Sequence, residues 1–503
     1  MSQGELLRAH EDVSGGVPEP VRAPDAGRTD DIGRDALRGA AALVVRQVFA
    51  QGANFAGALL LARLLSPGEF GLFGIATFGL SALLQLGGAG LATSLVRQAE
   101  EPDDDDCRVV FTLQQVVVLI VTIALWLGAP AVARAYGRPL ADLWTVRLVA
   151  LAAVCASLQT IPTARLERRL AFASLAGVEV AQALLYNVIA VFLAWRGAGT
   201  LAIGVAFLAR AAFGAMLVSL VSPWRIGWRW DLERARRHLR FGLPMQGIGL
   251  VSMVKDSITP VLLGLTGGAA AVGYIGWAQL VATYPTWAVM VMQRVYLPTF
   301  ARVQHDERRL ASLVEEVVRL SNTAVAPLAM LTLVLIRPLT TVVFGAQWLP
   351  ALSAFRLLWI ANLLVPTTMP LLGLLNASGR SRTAFGFALA WMVATWALGV
   401  PLIAAFGPLG FALANVGVQG LNLLLIRAAR RIVPIRVLSM AGPVWLWAAA
   451  TSLVGAALHA TVPGAPALRL AFAFGAALAL YAAGLALAAP AALRQARTWL
   501  APR

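Results

Sequence analysis

The chain has 503 residues, of which 59% are hydrophobic and 13% are charged, and its formal net charge is +16. This composition excludes a string of soluble domains and indicates a polytopic membrane protein. The arginines lie in short gaps between apolar runs, which is the pattern of membrane topology rather than of a nucleic-acid-binding module. Cys107 and Cys155 form no ligand or redox motif, so we predict no metal site and no cofactor.

The first 38 residues are polar and lack the apolar core of a signal peptide, so we predict a disordered cytoplasmic tail over residues 1–38. From Gly39 onward, apolar runs recur at the length of about 20 residues that a membrane-spanning helix needs. The pattern predicts about fourteen such helices. Their ranges are 40–65, 70–95, 109–133, 142–164, 171–195, 199–221, 241–265, 272–299, 316–337, 349–375, 384–406, 409–428, 438–459 and 467–490.

Loop charge gives the orientation. The loops that follow even-numbered helices carry the arginine clusters, as in "ARLERR" and "PWRIGWRWDLERARRHLR", whereas the odd-numbered loops are nearly bare. Positively charged loops stay on the cytoplasmic side, so both termini are predicted to be cytoplasmic. The acidic run "EEPDDDD" at 100–106 falls in an even-numbered loop, and we expect it to be solvated rather than to hold a metal ion.

The chain contains an internal repeat. "FGLFGIA" at 70–76 aligns without gaps to "VGYIGWA" at 272–278, and "RLAF" at 169–172 recurs as "RTAF" at 382–385. A duplication of six helices explains both, and six is even, so the halves form a parallel repeat around a central cavity. The predicted parts are an N-lobe (39–222, helices 1–6), a cytoplasmic amphipathic linker (223–240), a C-lobe (241–431, helices 7–12) and a region with two extra helices (432–503). We expect the basic, tryptophan-bearing linker to be an interfacial helix in contact with membrane lipids.

Helix 1 carries a polar stripe, because Gln47, Gln51 and Asn54 recur at helical spacing. Such a stripe would suit a hydroxylated substrate, although hydrogen bonding between helices is an alternative. Arg46 in helix 1 and Arg294 in helix 8 each lie about six residues inside the predicted cytoplasmic boundary. Either arginine could meet a substrate anion or anchor its helix, and the sequence leaves both readings open.

Charged residues within the membrane are candidates for function, since one at a helix centre costs about 2.5 to 3.5 kcal/mol on insertion scales. Arg210 in helix 6 and Lys255 and Asp256 in helix 7 lie near mid-membrane, and Glu179 in helix 5 lies about two turns in. Arg210 and Lys255 favour an anionic substrate.

Helix 7 separates its two charges, because adjacent residues point about 100° apart. Asp256 lies on a small, polar face, whereas Lys255 lies on an apolar face and is expected to reach a carboxylate on another helix, with Glu179 as a candidate. Pro260 has no N–H to donate to the carbonyl of Asp256, so a hinge is predicted there. We expect Asp256, with Glu179, to couple transport to H⁺ or Na⁺.

Several segments of the chain resemble a known family. "LARLLSPGEFGLFGIA" at 61–76, followed in order by "LLGLTGGAAAVGYIGWAQL", "VFGAQWLPALSAFRLLWI" and "LNASGRSRTAF", is similar to the polysaccharide transport family of the multidrug, oligosaccharidyl-lipid and polysaccharide exporter superfamily. The resemblance runs from about Gln47 to Arg431. In that family the seventh helix commonly carries an aspartate, and Asp256 matches that position.

The resemblance implies a flippase that moves an isoprenoid diphosphate-linked oligosaccharide across a bacterial inner membrane for O-antigen, capsule or exopolysaccharide synthesis. It also implies polysaccharide polymerase and co-polymerase machinery as partners. No "GxxxxGK[ST]" motif is present, so we expect no ATP hydrolysis and no enzyme activity. The alternatives are a multidrug exporter or lipid II flippase of the same superfamily, and a membrane glycan polymerase or ligase. The last is disfavoured because the predicted odd-numbered loops are short.

Overall fold

A computed structural model describes residues 52–98, 101–137, 139, 142–435 and 437–488, and this part of the chain contains helices but no strand. The helical segments, numbered in chain order, are α1 (Gly52–Leu64), α2 (Pro67–Arg97), α3 (Asp104–Ala135), α4 (Leu143–Arg168), α5 (Phe172–Trp195), α6 (Leu201–Val221), α7 (Leu232–Asp256), α8 (Gly264–Thr283 and Trp287–Arg302), α9 (Glu307–Val334), α10 (Ala346–Asn362 and Val365–Ala377), α11 (Ser381–Phe406), α12 (Pro408–Arg430), α13 (Val437–Thr461) and α14 (Pro466–Ala488).

The chain is an all-α polytopic membrane protein. Among the described helices, eleven are long and apolar enough to cross a membrane, or twelve if the two bent parts of α10 form one span. One of the eleven, Gly249–Gln293, contains a break at Gly268, where φ is 72°, in the predicted loop between helices 7 and 8. The total of fourteen stays a prediction, since α1 is described only from Gly52.

The start of α2 is fixed by local chemistry. Pro67 occupies the first turn, and the Ser66 hydroxyl accepts a hydrogen bond from the backbone N–H of Glu69. The Glu69 carboxylate in turn accepts hydrogen bonds from the backbone N–H and the hydroxyl of Ser66, at 2.8 and 2.7 Å. This capping box starts a new helix directly after α1, so the two helices are joined by a very short turn.

The two repeated segments contact each other. A Cβ atom added to Gly71 in α2 would overlap the carbonyl oxygen of Ala269 in α8, and one added to Gly273 would overlap the carbonyl oxygen of Pro67. The sequence alignment pairs Gly71 with Gly273. Continued without gaps toward the N-terminus, it also pairs Pro67 with Ala269. A reciprocal contact of this kind is what two copies make across a two-fold axis, so α2 and α8 cross where the repeat predicts an axis.

The acidic residues at the start of α3 form ion pairs with arginines of the linker, and we call this group of contacts the clasp. Asp103 caps α3 by accepting from the backbone N–H of Asp106, and both carboxylates accept from the Arg234 guanidinium of the linker, at 2.8 and 2.9 Å. Asp105 pairs with Arg229 at 2.8 Å. The Arg234 hydrogen bond holds the pKa of Asp103 below its usual value. The run is solvated in part, with the Asp103 and Asp104 side chains each 52% exposed, but its ion pairs were not predicted because the partner arginines come from segments distant in sequence.

The linker is only partly helical. Residues 223–231 have no regular secondary structure, and a helix capped by Asp231 begins at Leu232 and continues without interruption into α7. The prediction of a separate interfacial helix over 223–240 therefore differs from the structure. Trp228 and Trp230 are exposed, as residues at headgroup depth would be.

Candidate functional site

A cavity of about 660 Å³ opens between α1, α2, α7, α8, α11 and α12. It is lined by the first halves of α2 and α8 and by the last turns of α7, so it lies in the half of the bundle nearest the odd-numbered loops. Its polar lining residues are Asn54, Thr77, Ser81, Lys255, Asp256, Thr259, Gln279, Thr395 and Asn415. Aromatic side chains, among them Phe70, Phe73 and Trp287, form much of the remaining wall.

Among the described residues that line this cavity, Lys255 and Asp256 carry the charges, and they form an ion pair. The ammonium of Lys255 contacts the carboxylate of Asp256 directly, and the two side chains are 37% and 59% exposed, so they face open space rather than packed atoms. This differs from the prediction that Lys255 reaches a carboxylate on another helix. A helical wheel places the two Cβ atoms about 100° apart, but the long lysine stem bends back along the helix surface to reach its neighbour.

Pro260 changes the helix directly after the ion pair. Instead of a simple kink, the backbone widens into a π-helical turn over Ile258–Leu263, and the N–H of Gly264 donates to the carbonyl of Thr259, five residues earlier. Pro260 has no N–H to donate at this place, and π-helical turns are frequent at functional sites. The indole N–H of Trp396 in α11 donates to the carbonyl of Val254 at 2.8 Å and holds α7 just before the turn. Hinge motion at Pro260 stays a prediction.

The polar stripe of helix 1 is described only in part. Asn54 lines the cavity and accepts a hydrogen bond from the Asn187 side-chain amide at 3.2 Å. Arg46, Gln47 and Gln51 lie outside the described residues. Arg294 belongs to the second part of α8, but its side chain is not described. A role for these four residues in binding substrate stays a prediction.

Arg210 and Glu179 are not among the residues that line this cavity. Both side chains are exposed, and the Arg210 guanidinium lies 5.9 Å from the centre of the Tyr186 ring. Hydropathy predicts a depth for these residues in the membrane, but it does not predict which side of the helix faces the cavity. The cavity therefore brings together Asn54, Lys255, Asp256 and Pro260 of the predicted site residues, without Arg210 or Glu179.

Hydrogen bonds close the bundle beside the cavity, at the end of the odd-numbered loops. The indole N–H of Trp348 donates to the carbonyl oxygen of Ala62 at 2.8 Å, and the Gln347 side-chain amide donates to the same oxygen at 3.1 Å. In the opposite direction, the Arg63 guanidinium donates to the carbonyl oxygen of Val342 at 2.8 Å. These bonds tie the end of α1 in the first half of the chain to the start of α10 in the second.

An aromatic cluster fills the same place. The rings of Trp277 and Trp348 stack with their centres 5.5 Å apart, and the edges of Phe70 and Phe344 meet them at 5.2 and 5.3 Å. The side chains of Trp277 and Trp348 are fully buried. This closure was not predicted from the sequence, although its residues lie in the segment "VFGAQWLPAL" at 343–352. Its signal was two large aromatic residues, Phe344 and Trp348, on either side of a glycine.

A metal centre has no support in the described ranges, where no group of three or more His, Cys, Asp or Glu side chains could hold an ion. What the site can do chemically is bind through one ion pair and many hydroxyl and amide groups. A charged or strongly hydroxylated ligand could exchange water for those groups.

Comparison with known proteins gives the family. The model of the family described as "Polysaccharide biosynthesis protein" matches residues 60–353, which is more than half of the chain. The succinoglycan biosynthesis transport protein ExoT of Rhizobium meliloti (strain 1021) is 26% identical over 345 residues, covering 68% of this chain and 69% of that protein. The lipopolysaccharide biosynthesis protein WzxC of Escherichia coli (strain K12) is 23% identical over 334 residues, covering 65% and 67%.

Solved structures share the fold. The lipid II flippase MurJ in an inward closed conformation superimposes with a TM-score of 0.73 at 12% identity, over 89% of this chain and 98% of that one. An inward-facing multidrug resistance MATE family transporter of the MOP superfamily superimposes with a TM-score of 0.57 at 14% identity, over 76% and 94%. At these identities the likeness concerns the fold alone.

Proposed function

The chain belongs to the polysaccharide biosynthesis protein family, and from that membership we propose that it carries a lipid-linked oligosaccharide across a bacterial inner membrane. The protein is a transporter and not an enzyme. The observation that carries the proposal is the polar cavity around Lys255 and Asp256, which is set in an apolar helical bundle and closed at one end. We place both termini in the cytoplasm and expect the polymerase and co-polymerase machinery to receive the product.

In this proposal the Lys255 ammonium has two states, one paired with Asp256 and one free to bind an anion. While Asp256 is ionised it neutralises Lys255, and the ammonium is not free to bind a substrate anion. Protonation of Asp256, or binding of Na⁺ to its carboxylate, releases the ammonium for the diphosphate of a lipid carrier. The cation at Asp256 and the substrate diphosphate at Lys255 would then each change the affinity of the other, which is the condition for coupled transport.

The closed end indicates the direction of access. Because the contacts of Ala62 with Gln347 and Trp348 lie at the odd-numbered loops, substrate reaches this state from the side of the even-numbered loops, which we place in the cytoplasm. Export then requires these contacts to break while the opposite side closes. The π-helical turn at Pro260 lies between the ion pair and the closed end and is the proposed hinge.

Deletion of the gene tests the function. We expect lipid-linked repeat units to accumulate on the cytoplasmic face, detected by their protection from glycan-cleaving or oxidising reagents that do not cross the membrane. The wild-type gene should restore exported polysaccharide. Normal export in the deletion strain, together with increased sensitivity to cationic drugs, would overturn the proposal in favour of a multidrug exporter.

A further inference from the structure

A second cavity of about 310 Å³ lies between α2 and α4, where both helices are interrupted. The helical dihedral angles of α2 break at Gly88, and α4 is interrupted at Leu158 and Gln159, between its parts Leu143–Ser157 and Thr160–Arg168. The polar side chains that line the cavity are Gln114, Gln159, Thr160, Thr163 and Glu167. Helix α2 lines both cavities, the first with residues 70–81 and this one with residues 84–92.

Gln114 of α3 lines this cavity and lacks one of its hydrogen-bond partners. Its side chain is 2% exposed, and its amide nitrogen donates to the Thr160 hydroxyl at 2.7 Å. Its amide oxygen is buried and accepts no hydrogen bond from the described residues. A buried acceptor without a donor costs about 1 to 3 kcal/mol, so a ligand hydroxyl that donated to this oxygen would recover that free energy.

The opposite wall is held rigidly. The Gln159 amide nitrogen donates to the carbonyl oxygen of Ala211 in α6 at 3.0 Å, and its oxygen accepts from the Gln182 amide of α5 at 3.0 Å. The interruption of α4 is therefore fixed from two neighbouring helices. A site whose side chains are already oriented loses less entropy when its ligand binds.

The chemistry of the lining selects the ligand. It offers an amide oxygen, two hydroxyls and the Glu167 carboxylate, and it contains no lysine or arginine among its described residues. A phosphate would be repelled by the carboxylate, whereas the hydroxyls of a sugar donate to oxygen acceptors of each of these kinds. The volume is at the lower end of the range for small-molecule sites, about 300 to 1,000 Å³, which suits one or two sugar rings.

We propose that this cavity binds a sugar ring of the transported oligosaccharide, with Gln114 accepting a hydrogen bond from a sugar hydroxyl. This inference rests on the proposed function, since it supplies a site for the glycan part of the same substrate. The two sites divide the substrate between them along α2: the ion pair at residues 255 and 256 serves the diphosphate, and the second cavity serves the glycan.

Gln115 provides a matched control for Gln114. It is the next residue of α3, its side chain is 3% exposed, and its amide donates to the Ser157 hydroxyl of α4 at 2.8 Å. It does not line the cavity. A loss of packing or of a hydrogen bond between α3 and α4 would affect both glutamines, whereas loss of sugar binding would affect Gln114 alone.

The test is saturation-transfer NMR on the purified full-length protein with D-glucose, D-galactose, N-acetyl-D-glucosamine and D-glucuronate as separate probes. We expect transfer to the ring protons of at least one sugar with the wild-type and Gln115→Leu proteins. Gln114→Leu should bind that sugar about tenfold more weakly, because the lost hydrogen bond and the tighter cavity act together. Equal binding by the two variants, or no transfer from any of the four sugars, overturns the proposal.

A cation is the rival ligand for these oxygen atoms. If Na⁺ raises the thermal stability of wild type and Gln115→Leu but not of Gln114→Leu, and sugar binding is equal in all three, the cavity is an ion site and the proposal is wrong. The proposed function is judged separately, by export from the deletion strain. If the wild-type gene restores export while Gln114→Leu binds sugar normally, only the sugar site fails. If the wild-type gene does not relieve accumulation of lipid-linked units, the proposed function fails.

Discussion

Gly71 and Gly273 occupy equivalent positions in the two repeats and lie against each other where α2 crosses α8. The carbonyl oxygen of Ala269 occupies the space that a side chain at position 71 would need, and the carbonyl oxygen of Pro67 does the same at position 273. At this crossing the backbone of α2 lies directly against the backbone of α8. The crossing is therefore a fixed point about which the halves could rock while the cavity changes its access.

The crossing predicts that Gly71→Ala and Gly273→Ala each destabilise the protein. An added methyl group must displace backbone atoms, and overpacking of this kind costs about 1 to 3 kcal/mol or more. We expect a lower midpoint of thermal unfolding and less protein in the membrane. Gly74→Ala and Gly276→Ala are the controls, because their new Cβ atoms would lie 3.8 and 4.0 Å from the nearest side chain. Equal stability of all four variants would contradict the crossing.

The closed end predicts a shift in access when Trp348 is changed to Phe. The variant keeps a ring in the cluster but loses the hydrogen bond to Ala62, which is worth about 0.5 to 1.5 kcal/mol. The closed state should therefore lose population roughly two- to tenfold relative to the open one. The measurement is labelling of a cysteine at Thr77, which lines the cavity, by an impermeant maleimide added outside the cell.

Trp359→Phe is the matched control for that experiment. Its indole N–H donates to the carbonyl of Ala329 at 2.9 Å, and this hydrogen bond lies within the second half of the chain and does not join the two halves. Both variants are made in a protein whose Cys107 and Cys155 are replaced by serine. If Trp348→Phe and Trp359→Phe are labelled at the same rate, the contacts of Trp348 do not control access.

Periodic features were predictable from the sequence. Every predicted span overlaps a described helix, because hydropathy over 20 residues reports membrane burial whatever the packing, and the gapless alignment of 70–76 with 272–278 marked the crossing glycines. Features that depend on which side of a helix faces the cavity, or on partners distant in sequence, were not predictable from the sequence. Arg210 was predicted to line the substrate cavity, but it is not among the residues that line it. Gln114 gave no signal, since a glutamine next to another glutamine is ordinary in a helix.

The proposed coupling predicts a loss of export for three changes in helix 7: two single substitutions and their combination. Asp256→Asn leaves the Lys255 ammonium without its partner and removes the group that binds the cation. Lys255→Met removes the ammonium that would meet the diphosphate. Each should lower polysaccharide export by about tenfold or more, a change of about 1.4 kcal/mol, at a normal level of protein in the membrane.

The double variant Lys255→Met/Asp256→Asn distinguishes coupling from simple charge neutralisation. If the two residues only neutralise each other, removal of both charges should restore export, whereas separate roles in binding and coupling predict that the double variant is as inactive as either single one. Export at the wild-type level by Asp256→Asn alone would exclude Asp256 as the coupling residue.

The clasp between the linker and α3 predicts a pH dependence of stability. His238 is 3% exposed, its Nδ1 lies 2.8 Å from the Ser94 hydroxyl, and its Nε2 lies 3.5 Å from the Asp106 carboxylate. The Ser94 hydroxyl donates to the carbonyl of Leu91 at 2.7 Å, so it accepts from Nδ1–H of the ring. Burial lowers the pKa of His238; Asp106 opposes this shift, and Arg234 and Arg237 add to it.

Because the pKa of His238 is lowered in the folded protein, the protein loses stability as the pH falls. As the pH falls below about 6.5, the unfolded chain takes up a proton at this histidine before the folded protein does, so stability decreases until the folded pKa is passed. The slope contributed by one histidine is at most about 1.4 kcal/mol per pH unit. We expect the midpoint of thermal unfolding to fall between pH 7 and pH 5, and His238→Asn should have a smaller fall. His305→Asn is the control, because His305 is exposed in the loop before α9 and outside this cluster. A pH slope that is unchanged in His238→Asn would show that the clasp does not respond to protons through this ring.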